Sequence, residues 1–457
     1  MKPLSNDDKI IKNARRIHLV GIGGSGMCPI AELLMSKGYR ISGSDISASG
    51  NTDRLKKLGA EIFIGQKKEN INGADIVGYS AAVHPDNPEL EAARQKGVPA
   101  FERSKLLGAI TRFYDNTIGV SGTHGKTTVS SMITQILLLN KQNPSAVIGG
   151  KLPVVDSACV CGTSETLVCE SCEFVDSFLE FSPDISVLLN IDDDHLDYFK
   201  TMNNLVASFG KFCGKSKICY YNGDDSLCKK AVDGIGAQKI SYGFEENNFY
   251  HPANITSGEH GFSFDVVRNG VTVGRLDMQV PGRHNVYNGL VSFAVCFDIG
   301  VSPEGINGAI KQFTGAGRRF QFIGEANGVT VVDDYAHHPT EIAATLSAAR
   351  SLGYKKIIVA FQPYTYSRVA LLKDGMIKAL SLADKVFLTP IVASREENVY
   401  GVKSEDITGC LPDGRVISDY EELSRETVKA ADGGGIIITM GAGDIYKVAP
   451  MILEKLK

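Results

Sequence analysis

Apolar residues in this chain come in short runs separated by polar stretches with helical spacing, and the alternation persists along its whole length. In the first hundred residues, RIHLV (16–20), YRIS (39–42) and IVGYS (76–80) predict strands, and a helical pattern runs from about Gly26 to Lys37. That rhythm predicts parallel strands joined by crossover helices. A second unit opens with NTIGVSGTHGKTTVSSMITQILLLN, read as strand, glycine loop and helix. It continues through LVCES and DISVLLNI, which are apolar enough for strands covered on both faces. Between about 215 and 280, Gly/Asn-rich turns separate alternating runs (GFSFDVV, VTVGRLDMQV), and the pattern predicts a small antiparallel insertion. A third unit begins near GVTVVDDYAHHPTEIAATLSAAR and runs through KKIIVAFQP, DKVFLTPI and GGIIITMGAGD. Three α/β domains are expected, 1–105, 106–319 and 320–457, with boundaries near Lys105 and Arg319.

Composition agrees with several cores: the chain has 457 residues, 43% of them apolar, and a domain takes roughly 150 residues. Lys plus Arg number 48 against 52 Asp plus Glu, a net charge of -4, so no overall basic field draws the chain to nucleic acid or to an anionic membrane. No apolar run approaches the roughly 18 residues that span a bilayer. The start, MKPLSNDDKIIKNARR, lacks the apolar core of a secretion signal. The expected location is the cytoplasm, as a monomer or weak homodimer. Ten scattered cysteines fit a reducing compartment. The dense patch Cys159, Cys161, Cys169 and Cys172 has ligands for a zinc site, but its strand-like alternation and missing paired C-x-x-C knuckles favour buried thiols.

Candidate chemistry sits where strands meet glycine-rich loops. Gly21, Gly23 and Gly26 of GIGGSG follow a strand and open a helix, so backbone N–H groups and the positive helix end can approach a diphosphate. Asp45, closing the next strand, is placed to accept from a ribose. GTHGKTT (122–128) is more specific: a nest of amides wraps phosphates, Lys126 reaches the terminal ones, and Thr127 ligates magnesium. It is not a full Walker sequence, since Val120 stands where that pattern demands glycine. Magnesium prefers six oxygens; Glu170, closing LVCE, and His195 in NIDDDHLDYF are the further ligand candidates. His284, Asn285 and Asn288 of GRHNVYN suit an adenine edge. Arg318 and Arg319 stand at the hinge into the last domain, where a guanidinium can meet a transferring phosphate. DDYAHHPTEI places two acids and two histidines before Pro339 in a charge-dense strand-to-helix loop.

With these residues in place, the chain resembles the bacterial ATP-dependent Mur ligases, over nearly its whole length. The motifs that carry the resemblance are GIGGSGMCPIAELL, GTHGKTT, NIDDDHLDYF, GRHNVYN, and DDYAHHPTEI with FQPYTYSR. The resemblance implies a Rossmann-like first domain binding the UDP part of a substrate, a P-loop-type central ATPase domain, and a Rossmann-like last domain binding the incoming amino acid. It implies ATP and Mg2+ (Mn2+ as an alternative) as cofactors, and UDP-N-acetylmuramate and L-alanine as substrates.

By the same resemblance Gly122, Thr123, His124, Gly125, Lys126, Thr127 and Thr128 hold ATP, with Lys126 on its phosphates. Thr127 and Glu170 ligate one magnesium and His195 another; His284, Asn285 and Asn288 fall near adenine; Arg319 reaches the phosphates and Asp334 faces the nucleotide. His337 and Arg368 lie at the amino-acid side. The glycine turn with Gly24 and Ser25, and Ser44, Asp45 and Ser80, contact the uridine nucleotide. Two departures stand out: Tyr364 replaces the histidine of a frequent FQPH, and Thr365 an arginine of many relatives, which leaves a glycine or serine preference open. No lysine is assigned to the carbamylated role known in the wider class.

The implied chemistry is activation of a carboxylate as an acyl phosphate, then attack by alanine's amine, with Lys126, His195, Arg319 and His337 as catalytic groups and His337 as proton acceptor. A ligase attaching a recycled tripeptide to the same sugar nucleotide is the alternative within the family. An NAD-dependent dehydrogenase and a non-catalytic ATP switch are rivals outside it; the dehydrogenase leaves GTHGKTT and the last histidine cluster without a task.

Overall fold

The structure, a computed structural model, describes residues 2–258, 261–394 and 396–457. Its apolar runs assemble into three sheets. In the first, β1 (Arg16–Val20), β2 (Arg40–Asp45), β3 (Glu61–Ile64), β4 (Ile76–Tyr79) and β5 (Ala100–Glu102) lie parallel in the order β3-β2-β1-β4-β5. The strand order reverses beside β1, and in open parallel sheets the crevice beyond such a switch point is where ligands bind. The helix after β1 is Cys28–Ser36, shorter than the sequence pattern predicts. Its predicted first residues form a hydrogen-bonded turn instead, with Gly24 N donating to Gly21 O (3.1 Å) and Met27 N to Gly24 O (3.0 Å).

The second sheet holds β6 (Asn116–Ser121), β7 (Ser145–Leu152), β8 (Ser157–Val160), β9 (Thr166–Glu170), β10 (Ile185–Leu188), β11 (Ile218–Asn222), β12 (Gln238–Tyr242), β13 (Tyr250–Ser257), β14 (Phe262–Arg268) and β15 (Val271–Asp277). Their order is β15-β14-β13-β12-β11-β10-β6-β9-β7-β8. Strands β6, β9, β10, β11 and β12 are parallel, so the parallel sheet continues through Tyr242 and the antiparallel insertion expected for 215–280 is confined to its later part. Neighbours β14 and β15 are joined through Asn269 (φ 47°) and Gly270 (φ 79°), the pair of positive φ angles that a two-residue hairpin turn requires.

In the third sheet, β16 (Gln321–Ala326), β17 (Val329–Asp334), β18 (Ile357–Phe361), β19 (Lys385–Leu388), β20 (Arg415–Val416) and β21 (Gly435–Met440) lie in the order β16-β17-β21-β18-β19-β20. Only β16 is antiparallel to its neighbour there. Strands β17, β18 and β21 are buried on both faces, which is why they read as unbroken apolar runs.

By density of contacts the chain divides into two compact units. One comprises Met1–His251, Val267–Val271 and Leu290–Ala309; the other Pro252–Val266, Thr272–Gly289 and Ile310–Lys457. The first sheet and β6 to β12 fall in the former, the third sheet in the latter. Within the first unit, helix Lys126–Leu139 follows β6 and is buried almost all round. Two of its buried polar residues are satisfied internally, Thr134 Oγ1 donating to Ser130 O (2.7 Å) and Gln135 Nε2 to Ala309 O (2.9 Å), whereas the buried hydroxyls of Ser130 and Ser131 have no hydrogen-bond partner among the described residues. Cys169 is buried on β9 while Cys159 and Cys161 stand together at β8, and no three cysteines among the described residues converge on a metal position. No described helix is long and apolar enough to cross a membrane.

Candidate active site

The loop after β6 needs glycine at two places. Gly122 has φ 133°, and a Cβ there would lie 2.9 Å from Leu189 Cβ and 3.1 Å from the Asn190 backbone nitrogen; Gly125, at φ 86°, is the residue before the helix. Among the described residues no side chain caps that 14-residue helix, so its first N–H groups and positive end are presented to an anion. The loop is held from the end of β10. Asn190 accepts from His124 N through Oδ1 (2.8 Å) and donates from Nδ2 to His124 O (3.0 Å). Thr123 Oγ1 accepts from Asp192 N (2.9 Å), and His124 Nε2 lies 3.1 Å from Asp192 Oδ2.

Lys126 Nζ donates to Gly122 O (2.5 Å) and Thr123 O (3.0 Å), and to both oxygens of Glu173 (3.1 and 2.9 Å). Burial by itself lowers the ammonium pKa, but the Glu173 carboxylate, with Cys172 and Glu170 nearby, outweighs it and the net shift is upward. The lysine is therefore fully charged at neutral pH, as phosphate binding requires. Sequence reasoning missed Glu173. The only signal for it is a second acid three residues after Glu170 in CESCE.

The three expected metal ligands lie at or beyond the ends of β6, β9 and β10, which are neighbours in the sheet. Thr127, buried, follows Lys126 in the first turn of the helix after β6. Glu170 ends β9, paired in register with Val120 of β6, and its Oε2 accepts from Gly149 N (2.7 Å). His195 lies beyond β10, which pairs with β6 on the other side; it has φ 58°, and its ring sits 4.8 Å from that of Phe174. The Thr127 hydroxyl and the Glu170 carboxylate are oxygen donors of the kind a hard divalent cation takes, and the His195 imidazole adds a nitrogen donor.

At the first sheet, Gly21 N and Ile22 N donate to Ser44 O (2.8 and 3.0 Å), and Gly23 N donates to Asp45 Oδ2 (2.9 Å). Glycine is forced at 23: a Cβ would lie 2.8 Å from Thr52 Cγ2 and 2.9 Å from that carboxylate. Asp45 thus fastens the turn of Gly21, Gly23, Gly24, Ser25 and Gly26 to β2. The Ser44 hydroxyl points inward and donates to Glu89 Oε2 (2.6 Å), while Asn70 Nδ2 donates to Glu89 Oε1 (2.6 Å) and His18 Nε2 lies 3.5 Å from Glu89 Oε2. Glu89 is fully buried, and sequence reasoning missed it as well. Ser80 Oγ accepts from Ala82 N (3.2 Å) just past β4.

In the second unit, Arg318 is a tether: Nε donates to Asp333 (2.9 Å), the Nη atoms to Gly443 O (3.0 Å) and Gly441 O (2.7 Å), and the guanidinium stacks on Tyr335 and Tyr446. Arg319 is held more loosely, with Nη1 3.8 Å from Glu341 Oε1 and its guanidinium over Tyr335. Asp334 accepts from Phe320 N and Ala336 N (both 2.7 Å). Its burial lifts the pKa to about 6 against the pull of Arg319 and those two amides. His337 Nδ1 lies 3.0 Å from Tyr335 O and 3.4 Å from Glu341 Oε2. The acid of the capping box, Glu341, accepts from His337 N (3.2 Å) and His338 N (3.5 Å) at the start of helix Pro339–Ser351.

Further along that unit, Tyr364 hydroxyl donates to Ser394 Oγ (3.1 Å), and Arg368 lies in the first turn of helix Tyr366–Leu380. His284, Asn285 and Asn288 open helix His284–Asp298; Asn285 Nδ2 donates to Pro281 O (2.6 Å) and Asn288 Nδ2 to Asn285 Oδ1 (2.9 Å).

Comparison with known proteins gives the family. Models of the Mur ligase family catalytic domain, the Mur ligase middle domain and the Mur ligase glutamate ligase domain match residues 16–115, 120–296 and 318–443. The UDP-N-acetylmuramate--L-alanine ligase of Alkaliphilus metalliredigens is 42% identical, over 96% of this chain and 97% of its own length. The crystal structure of UDP-N-acetylmuramate-alanine ligase from Thermotoga maritima superposes with a TM-score of 0.81 at 28% identity, covering 96% of this chain and 98% of that one. A murein peptide ligase from Psychrobacter arcticus shares the fold, with a TM-score of 0.75 at 22% identity over 97% and 98% of the two chains. With three family regions matched in order along the chain and a relative 42% identical over nearly its whole length, the chain belongs to the Mur ligase family.

Proposed function

We propose that this chain is the ATP-dependent ligase of peptidoglycan precursor synthesis that joins L-alanine to the lactyl carboxylate of UDP-N-acetylmuramate. The observation that carries the reading is the glycine cradle with a charged Lys126 at the edge of β6, in a chain that matches an alanine ligase end to end. A carboxylate is a poor electrophile, and its oxygen is a poor leaving group. In the proposed reaction the lactyl carboxylate attacks the γ-phosphorus of ATP, the bond to the bridging oxygen breaks, and ADP leaves an acyl phosphate. The amine of alanine then attacks the acyl carbon, and inorganic phosphate departs as the amide forms. Lys126 steadies the phosphates, Arg319 is assigned to the transferred group, and His337 to the amine proton. Thr127, Glu170 and His195 would hold magnesium, which when bound would supply charge neutralisation on the phosphates. The first sheet's turn, with Ser44, Asp45 and Ser80, is assigned to the uridine nucleotide, and His284, Asn285 and Asn288 to adenine. Domains 1–105, 106–319 and 320–457 divide these tasks, in the cytoplasm, where the sugar nucleotide and ATP are found.

The test is phosphate release by purified protein with ATP, magnesium and UDP-N-acetylmuramate against a panel of single amino acids and the recycled tripeptide. Release with L-alanine above glycine and serine is expected; release with the tripeptide alone would replace the reading. Tyr364 and Thr365 make the panel necessary, because they alter the family pattern beside Arg368.

A further inference from the structure

Nothing in the ligase reaction uses Cys159 or Cys161. Two residues apart on a regular strand, side chains on one face stand about 6.6 Å apart. Here β8 ends at Val160, Cys161 leaves the ladder, and the two sulfurs approach to 3.6 Å. Cys159 is buried and Cys161 is exposed, so one thiol meets solvent and the other waits behind it. Their surroundings come from helix Cys28–Ser36 and the helix Gly50–Lys57 of the first sheet's layer. Glu32 accepts from Arg54 through both oxygens (2.7 and 3.1 Å), and Ser157 Oγ lies 3.5 Å from Glu32 Oε2.

We propose that Cys159 and Cys161 form a redox-active dithiol, in which Cys161 reduces a hydroperoxide and Cys159 resolves the product to a disulfide. In the first step the Cys161 thiolate attacks a peroxide oxygen, the O–O bond breaks, and sulfur loses two electrons. The departing alkoxide or hydroxide takes up a proton, leaving Cys161 as a sulfenic acid. In the second step the Cys159 sulfur, giving up its proton, attacks the sulfenyl sulfur; the S–O bond breaks and water leaves as the S–S bond forms. The sum is two thiols and one hydroperoxide converted to one disulfide, one alcohol and one water. Closure brings the sulfurs from 3.6 Å to about 2 Å, and rotation of the exposed Cys161 outside the ladder supplies the movement.

Electrostatics support the division of roles. The hydrogen bond between the two thiols, with Ser36 and Arg54, brings the Cys161 pKa down to about 7 against burial and Glu32. The same hydrogen bond and burial push Cys159 up, with Glu32 and Cys28 adding to it. Burial drives other thiols the opposite way from Cys161: Cys28 and Cys169 rise to about 12 and Cys172 to about 11.

The experiment uses the whole protein and takes Cys410, which is also exposed, as internal control. A thiol with a pKa near 7 is half ionised at pH 7, against a few per cent for an ordinary one; after discounting its lower nucleophilicity, about threefold faster alkylation remains. Iodoacetamide should therefore label Cys161 about threefold faster than Cys410 at pH 7, with a pH midpoint near 7. One equivalent of hydrogen peroxide should give a Cys159–Cys161 disulfide in the peptide map, reversed by dithiothreitol. Cys159→Ser should instead leave a dimedone-reactive Cys161. The proposal is overturned if wild-type Cys161 labels no faster than Cys410, or if peroxide carries Cys161 to sulfinic acid while Cys159 remains a free thiol.

Discussion

Replacing Glu173 by glutamine should make the protein bind nucleotide more tightly, not less. Lys126 has three N–H donors and four acceptor oxygens around it, two of them from a carboxylate whose side chain is only 2% exposed. A phosphate oxygen that takes this ammonium must displace Glu173 and leave its charge close by. Glutamine keeps the shape and one acceptor but removes the charge. A hydrogen bond to a charged partner contributes about 1.5–3 kcal/mol and one between neutral groups about 0.5–1.5. The competition removed is therefore about 1–1.5 kcal/mol, or roughly tenfold in affinity.

Isothermal titration of ADP with magnesium into wild type and Glu173→Gln measures this directly: a Kd about tenfold lower is expected in the variant. Melting in the absence of nucleotide should move the other way, because removing one partner of a buried pair leaves a buried charge and costs about 3–5 kcal/mol. A folded variant that binds ADP equally or more weakly would refute the competition and make Glu173 a support for the bound phosphates.

Four further outcomes follow from the same geometry. Lys126→Ala should reduce phosphate release at least about 10²–10³-fold, as loss of one preorganised charged donor does, measured under the full substrate mixture. Arg319→Lys should lower kcat while the dissociation constant for UDP-N-acetylmuramate, measured separately by titration, stays within about twofold of wild type. Gly23→Ala forces a methyl to 2.8 Å from Thr52 Cγ2 and should cost about 1–3 kcal/mol of stability, with a raised KM for the sugar nucleotide and an unchanged KM for ATP. Asp334 holds its proton more tightly folded than unfolded, its pKa going from 3.8 to about 6. Between those values the native state binds more protons, so stability falls as pH rises from about 4 to 6, by about 3 kcal/mol for this group. Paired denaturant titrations of wild type and Asp334→Asn at pH 4 and 6.5 should show that difference.

The glycine loop after β6 was legible because GTHGKTT interrupts an apolar strand and opens a helix, and its glycines stand at positive φ, Gly122 also in close approach to Leu189 and Asn190. The strands of the third sheet were legible because strands buried on both faces announce themselves as apolar runs. Strands β11 and β12 were not, because Ser241, Lys239 and Asn222 interrupt their apolar residues and imitate the alternation of a half-solvated hairpin. Glu173 was hidden by backbone: the segment after it turns through Val175 (φ 50°) and Asp176 (φ 57°), left-handed positions that non-glycine residues rarely take and no pattern predicts. Glu89 reads as an acid in an exposed first turn of NPELEAAR, and only tertiary partners, His18, Ser44 and Asn70, make it a buried hub.

Acids at strand ends in this chain act on its own backbone in ways that bear on how anions are bound. Asp45 accepts from Gly23 N, Asp334 from Phe320 N and Ala336 N, and Asp225 from Ile191 N (3.1 Å) beside the phosphate loop's anchor. A carboxylate that receives amide protons directs its negative charge into the protein and fixes the loop's shape at the same time. The sites can therefore carry acids close to where phosphates are assigned, because those charges are already engaged and the amides facing the ligand are preorganised rather than recruited. Glu173 differs in kind: its partner is not an amide but the ammonium that the phosphates themselves require. That difference is why neutralising Glu173 should tighten nucleotide binding, whereas neutralising Asp45 should loosen the turn of the first sheet and weaken the sugar nucleotide.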